Sequence, residues 1–324
     1  MARPRHPEIK FKEVDKRMIQ IKDLSKRYGT KEAVRGISFS VKKGEIVGFL
    51  GPNGAGKSTT MNVLTGYLSA SGGSASIAGF DVLDDSLEAR RHIGYLPEQP
   101  PLYFDMTADE YLSFVFDLKR VDAKKSEHIG SICEKVGLSA VRHRLIKNLS
   151  KGYKQRVGIA QALIGDPDVL ILDEPTVGLD PNQIIEIRNL IKSLGKDHTV
   201  ILSTHIIPEV MAVCERIIVI NDGKIVADDT VENLMKNIGD DAKFAVEIEG
   251  ENEKIIPLLA EIDGVLDVSC EDGKYILTAE RDADIRKKVF YVAAENDLPL
   301  LSFGEISVSL ETVFARLTKK EEKE

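Results

Sequence analysis

The sequence predicts an α/β protein built around a largely parallel sheet, followed by a smaller α+β unit. Three observations predict it. Short apolar runs punctuated by glycine alternate with helix-like stretches, the signature of strands joined by helical crossovers. A mostly helical stretch interrupts that alternation at about 105–160. The whole pattern then starts again after Asn-Ile-Gly-Asp-Asp at 237–241, which marks a boundary.

Along the chain, apolar runs at 18–22, 36–41 and 45–50 read as strands, and so do 169–172, 199–202 and 217–220. From Phe244 the order is strand, helix, strand, a turn at Asp272-Gly273, strand, a helix at 283–294 and a strand. In the first of those helices Ile255, Leu258, Leu259 and Ile262 share one face. That order is a ferredoxin-like βαββαβ unit. A short helix, LETVFARL, precedes the charged tail.

Composition removes several function classes. The chain has 324 residues, 43% hydrophobic and 30% charged, enough for two domains with apolar cores and ordinary for a globular protein. A formal net charge of -8 lacks the basic footprint of a nucleic-acid-binding protein, so nucleic acid is not expected as a partner. Cys133, Cys214 and Cys270 are widely spaced and form no CxxC pair, which argues against zinc or a disulfide framework and fits a reducing cytoplasm. No apolar run reaches the length of about 18 residues that a membrane span requires, and the opening MARPRHPEIKFKEVDKR has no signal-peptide core.

The strongest motif is Gly51-Pro52-Asn53-Gly54-Ala55-Gly56-Lys57-Ser58, followed by Thr59. It matches G-x-x-x-x-G-K-[ST] between the predicted strand EIVGFL and a helix, the context in which such a loop binds phosphate. Glycines let backbone N–H groups turn toward phosphate, Lys57 supplies positive charge and Ser58 a Mg2+ ligand. The hydrophobic strand VLILDE ends in Asp173 and Glu174. Asp173 at the strand end would hold Mg2+ through water or Ser58, as in other P-loop enzymes. Glu174 is then placed to act as general base on a water attacking a γ-phosphate, an effect of roughly 10²- to 10⁴-fold in rate.

LSKGYKQR at 149–156, GLDP at 178–181 and LSTHI at 202–206 complete a series whose order and spacing resemble the nucleotide-binding subunits of ABC transporters, densely over 18–235. The resemblance implies a RecA-like P-loop core with an antiparallel β subdomain and a helical subdomain, two such cassettes packing head to tail, and ATP with Mg2+ held between them. It implies that Ser150 and Gly152 serve a partner's nucleotide and that Asp180 links the two sites. His205 would contact the γ-phosphate, and Tyr28 in KRYG would stack on adenine. Two departures stand out: LSGGQ of the family is LSKGY here, and in IGYLPEQPPLY Glu98 follows the proline with Gln99 one later. Either Glu98 or Gln99 is then the sensor-loop side chain that reaches Mg2+ or the attacking water.

LSKGYKQRVGIAQALIGDP, YLPEQPPLY and the closing SLETVFARLT are similar to the ATP-binding subunits of prokaryotic ABC-2 type exporters. That likeness implies a separate membrane permease as partner, a homodimer or heterodimer of cassettes, and a cytoplasmic location on the inner face of the membrane. The domains expected are a basic extension at 1–17, the nucleotide-binding domain at 18–238, an accessory domain at 242–318 and a charged tail at 319–324. The alternative reading is a non-transport or regulatory ABC cassette that binds ATP with little turnover.

Overall fold

In this computed structural model the described residues are 17–237, 241–271, 273–280 and 283–306, with Thr312, Phe314, Ala315 and Thr318. Residues 1–16 of the expected N-terminal extension, most of the closing helix and the charged tail lie outside them, as do Asp272 of the predicted turn and 238–240 within the expected boundary. The chain divides into two units between Thr230 and Val231.

The first unit opens with the hairpin of β1 (Arg17–Tyr28) and β2 (Lys31–Lys42), then β3 (Ile46–Leu50) and α1 (Lys57–Leu64). β4 (Gly72–Ile77), β5 (Phe80–Asp81), α2 (Ser86–Arg91) and β6 (Ile93–Leu96) follow. Helices α3 (Ala108–Lys119), α4 (Lys125–Lys135) and α5 (Lys151–Leu163) occupy the predicted helical stretch. The chain then alternates through β7 (Val169–Asp173), α6 (Pro181–Leu194), β8 (Thr199–Thr204), α7 (Ile207–Val213), β9 (Arg216–Asn221) and β10 (Lys224–Thr230).

Two sheets result. β1 alternates inward Ile19 and Ile21 with outward polar residues, and it pairs antiparallel with β2 and β4 in the order β2-β1-β4-β5. The second sheet has the order β10-β9-β3-β8-β7-β6. β9, β3, β8, β7 and β6 run parallel, and β10 is antiparallel at the edge. β7 and β8 are buried along their whole length, which is why VLILD and TVILST read as near-continuous apolar runs.

Local chemistry starts the helices that flank the site. Thr107 and Glu110 form a reciprocal capping box at the start of α3. Asp180 Oδ1 accepts from Gln183 N at 3.0 Å, and Pro181 occupies the first turn of α6, where its missing N–H costs nothing.

The second unit contains α8 (Val231–Asn237), β11 (Asp241–Ile248), α9 (Asn252–Ala260), β12 (Val265–Glu271), β13 (Lys274–Glu280), α10 (Arg286–Glu295) and β14 (Leu300–Ile306). Its antiparallel sheet has the order β12-β13-β11-β14, the ferredoxin-like arrangement. Ile255, Leu259 and Ile262 from the predicted helical face are buried with Tyr275 and Leu277 of β13. Among the described residues no helix is long and apolar enough to cross a membrane.

Candidate functional site

Because β3, β8, β7 and β6 are parallel neighbours, their carboxyl ends lie on one edge of the sheet, where α/β proteins bind ligands. β3 delivers the loop 51–56, β6 the segment with Glu98, β7 the pair Asp173 and Glu174, and β8 His205. A cavity of about 550 Å³ opens there, lined by Tyr28, Asn53, Gly54, Gly56, Lys57, Ser58, Thr59, Glu98, Glu174 and His205 among others. Gln99 is exposed and outside that lining.

The loop is anchored from both sides. Gly56 has φ 111°, and a Cβ there would stand 2.6 Å from Ala33 O, so only glycine fits the turn into α1. Ala55 N donates to Pro52 O at 3.2 Å, while Ala55 O accepts from Gly223 N at 2.9 Å. Lys57 folds back into its own loop and donates to Gly51 O at 2.8 Å and to Pro52 O at 3.3 Å. Its Nζ also stands 3.7 Å from Glu174 Oε1, with both side chains buried. Burial pushes the Lys57 ammonium below its ordinary range, and the charges of Glu174 and Asp173 oppose that shift.

Glu174 occupies the left-handed region at φ 48°, a costly conformation for a residue with a side chain. The bond from its N–H to Ser203 O, 2.8 Å, holds it there and turns the side chain off the strand into the cavity. His205 Nδ1 lies 2.8 Å from Glu174 Oε1, so the ring carries its proton on Nδ1 when it donates to the carboxylate. Glu174 Oε2 accepts from Thr204 Oγ1 at 3.1 Å. Behind it, Glu209 of α7 is 1% exposed and accepts from Thr176 Oγ1. The sequence reading singles out neither Thr204 nor Glu209. A polar residue at the end of an apolar strand and an acid four residues beyond a histidine are the signals available.

Asp173 Oδ1 is buried with no hydrogen-bond partner. Burial pushes the Asp173 carboxyl up, and the neighbouring hydroxyls of Ser203 and Ser58 pull it back. An orphaned carboxylate oxygen beside a serine hydroxyl is an all-oxygen donor set for a hard cation. Mg2+ characteristically takes one or two such groups together with substrate phosphates, so these residues fit it.

Ser150 caps α5, its Oγ accepting from Tyr153 N at 3.3 Å. Gly152 lies so close to α6 that a Cβ would come within 2.6 Å of Gln183 Oε1. Ser150, Gly152 and Asp180 are outside the lining of the cavity that holds Lys57 and Glu174.

Residues 34–177 match the family described as ABC transporter. The linearmycin resistance ATP-binding protein LnrL of Bacillus subtilis is 34% identical over 307 residues, 93% of this chain and 98% of that protein. The chain belongs to the ABC transporter ATP-binding proteins. This cassette is also similar to the bacitracin transport ATP-binding protein BcrA of Bacillus licheniformis, 34% identical over 303 residues, 93% of this chain and 97% of that protein. Among solved structures, the dimeric bacterial ABC transporter cassette MJ0796 aligns with TM-score 0.61 at 29% identity, covering 66% of this chain and 99% of that one. Its dimeric post-hydrolysis state bound to ADP and Pi aligns with TM-score 0.60 at 28% identity over 66% of this chain and 99% of that one. The cassette is thus an ATP-binding subunit with a P-loop α/β fold, and ATPase is the activity of its family.

Proposed function

We propose that this chain drives export through a separate membrane permease, as an ABC-2 type exporter ATPase at the inner face of the membrane, by closing on ATP as a dimer of cassettes. The observation that carries the dimer is the division of the site. Lys57, Ser58, Glu174 and His205 share one cavity, while Ser150, Gly152 and Asp180 lie outside it. The helix N-terminus behind Ser150, with its outward N–H groups, suits a phosphate brought by another cassette. The dimeric assembly of the MJ0796 cassette supports the same reading, and the resistance and transport roles named for LnrL and BcrA support export.

In this mechanism Tyr28 stacks on the adenine, and the N–H groups of 53–59 with Lys57 hold the β- and γ-phosphates. Ser58 and Asp173 would hold Mg2+, with Glu98 facing the same cavity, and the bound ion would supply positive charge against the charge developing on the phosphate oxygens. Glu174 orients a water and takes its proton as the water oxygen bonds to the γ-phosphorus and the bond to the bridging oxygen breaks. His205 fixes Glu174 by donating from Nδ1 to Oε1, with its ring beside the γ-phosphate. ADP and phosphate then leave, and the dimer opens.

ATP turnover measured beside a Glu174→Gln variant, across protein concentrations, tests this. Turnover rising faster than linearly with protein, together with an ATP-dependent dimer of Glu174→Gln in sedimentation, is expected. Linear turnover and a monomeric Glu174→Gln with saturating ATP would overturn the dimer.

A further inference from the structure

The polar chain behind Glu174 has an unbalanced proton count. Thr204 Oγ1 stands 3.1 Å from Glu174 Oε2 and 3.1 Å from Glu209 Oε2, and it accepts from Ile206 N at 3.1 Å. A hydroxyl has one proton to donate and two lone pairs. If Glu174 and Glu209 were both ionised, Thr204 would satisfy one carboxylate and turn a lone pair toward the other, with all three side chains buried. An unmade bond between buried polar groups is expensive. One additional proton resolves every contact: a carboxylic acid donates to Thr204, and Thr204 donates to the opposite carboxylate.

The surroundings decide which acid carries it. Glu174 has two donors at Oε1, the Lys57 ammonium at 3.7 Å and the His205 ring at 2.8 Å. Glu209 is 1% exposed. It faces Thr176 on the segment after β7, Thr204 on β8, Arg188 on α6 and Glu174. Burial pushes its carboxyl up and Glu174 adds to that, while the two hydroxyls and Arg188 act against it; burial is the largest influence.

We infer that Glu209 is a positioning residue that holds a proton and donates it to Thr204, so that the Thr204 hydroxyl is directed at Glu174 Oε2 and leaves Oε1 facing Lys57 and the reacting water. This rests on the reading of Glu174 as the base. The acid acts on the orientation of Glu174 and not on the nucleotide, so its loss lowers kcat and leaves KM for ATP near its starting value.

The test is steady-state ATPase kinetics on the full chain. Glu209→Met and Thr204→Val, each removing one link at nearly constant shape, are expected to lower kcat about tenfold with KM changed less than twofold. The pair together is expected to lose no more than either alone, because both break one chain. Glu209→Gln, whose amide donates to Thr204 as the acid does, is expected to restore most of the kcat that Glu209→Met loses, and Thr204→Ser that of Thr204→Val. A Glu209→Gln as slow as Glu209→Met would show that charge and not a donor is required, and would overturn the inference. Fully additive single losses would do the same. Should Glu209→Met fail to fold, Thr204→Val against Thr204→Ser decides alone. Glu174→Gln is the control: if it still turns over, the base reading fails and this inference with it. If it is inactive while Glu209→Met keeps full kcat, this inference alone falls.

Discussion

Gly51→Ala changes a single hydrogen for a methyl group, yet the structure gives it a large effect. A Cβ at Gly51 would stand 2.3 Å from Ile220 O and 2.9 Å from Ile220 Cγ2. Carbon and carbonyl oxygen approach to about 3.3 Å, so the loop and the end of β9 must separate by about 1 Å. β9 is held by pairing with β3 and β10, so the loop is the part that yields. A displacement of about 1 Å at a group that orients phosphates costs about 10²-fold in rate. Overpacking of this kind costs about 1–3 kcal/mol of stability. The expected result is a kcat/KM for ATP about a hundredfold below the parent, with a folded protein that melts a few degrees lower, read by phosphate release and thermal denaturation. A Gly51→Ala protein within threefold of the parent in kcat/KM would refute the link between this contact and the position of the phosphate loop.

Three further outcomes follow from the geometry. Tyr28 lines the cavity with its ring half exposed, so Tyr28→Ala is expected to weaken nucleotide binding by about 1–3 kcal/mol, the range for base stacking, while Tyr28→Phe retains affinity in an equilibrium titration. Arg216 joins strands by donating to Asp228 at 2.7 and 2.8 Å, Glu45 at 3.1 Å and Ser40 O at 3.0 Å. Arg216→Met leaves Asp228 and Glu45 without their guanidinium partner, Glu45 keeping its bond from Lys42 N, and denaturant unfolding is expected to show a loss of about 1 kcal/mol. For Glu209 the folded state binds a proton above pH 4.5 that the unfolded chain has released. Its contribution to stability is therefore full below that pH and lost as pH rises through the elevated folded value. The stability difference between the parent and Glu209→Gln should shift in favour of Glu209→Gln across that window; a difference independent of pH would contradict the proton count.

Those parts of the fold and site that depend on neighbours in sequence were legible in it. The loop 51–58 needs its glycines and lysine at fixed spacing, and Asp180 before Pro181 is a helix start whatever surrounds it. β7 and β8 were legible because strands covered on both faces carry an uninterrupted apolar stretch, 169–172 and 200–202. β4 was not, since Gly-Gly-Ser-Ala-Ser-Ile carries little apolar signal and is a strand because Ser76, Ala75 and Ile77 pair with β1. The choice between Glu98 and Gln99 depends on how the chain leaves β6, which no local pattern records; the fold puts Glu98 against the cavity. Glu209 was the least legible, because its meaning lies in contacts with Thr176 and Thr204 made by packing α7 against β8.

The bonds from Lys57 to Gly51 O and Pro52 O give ATP binding the character of an exchange reaction. The ammonium is solvated by its own loop, so phosphates in the cavity would compete with two carbonyl groups and one carboxylate for the same proton donors. Affinity is then the difference between two well-made solvation shells. Small changes in the positions of those carbonyls would therefore tune it with no change to the Lys57 side chain.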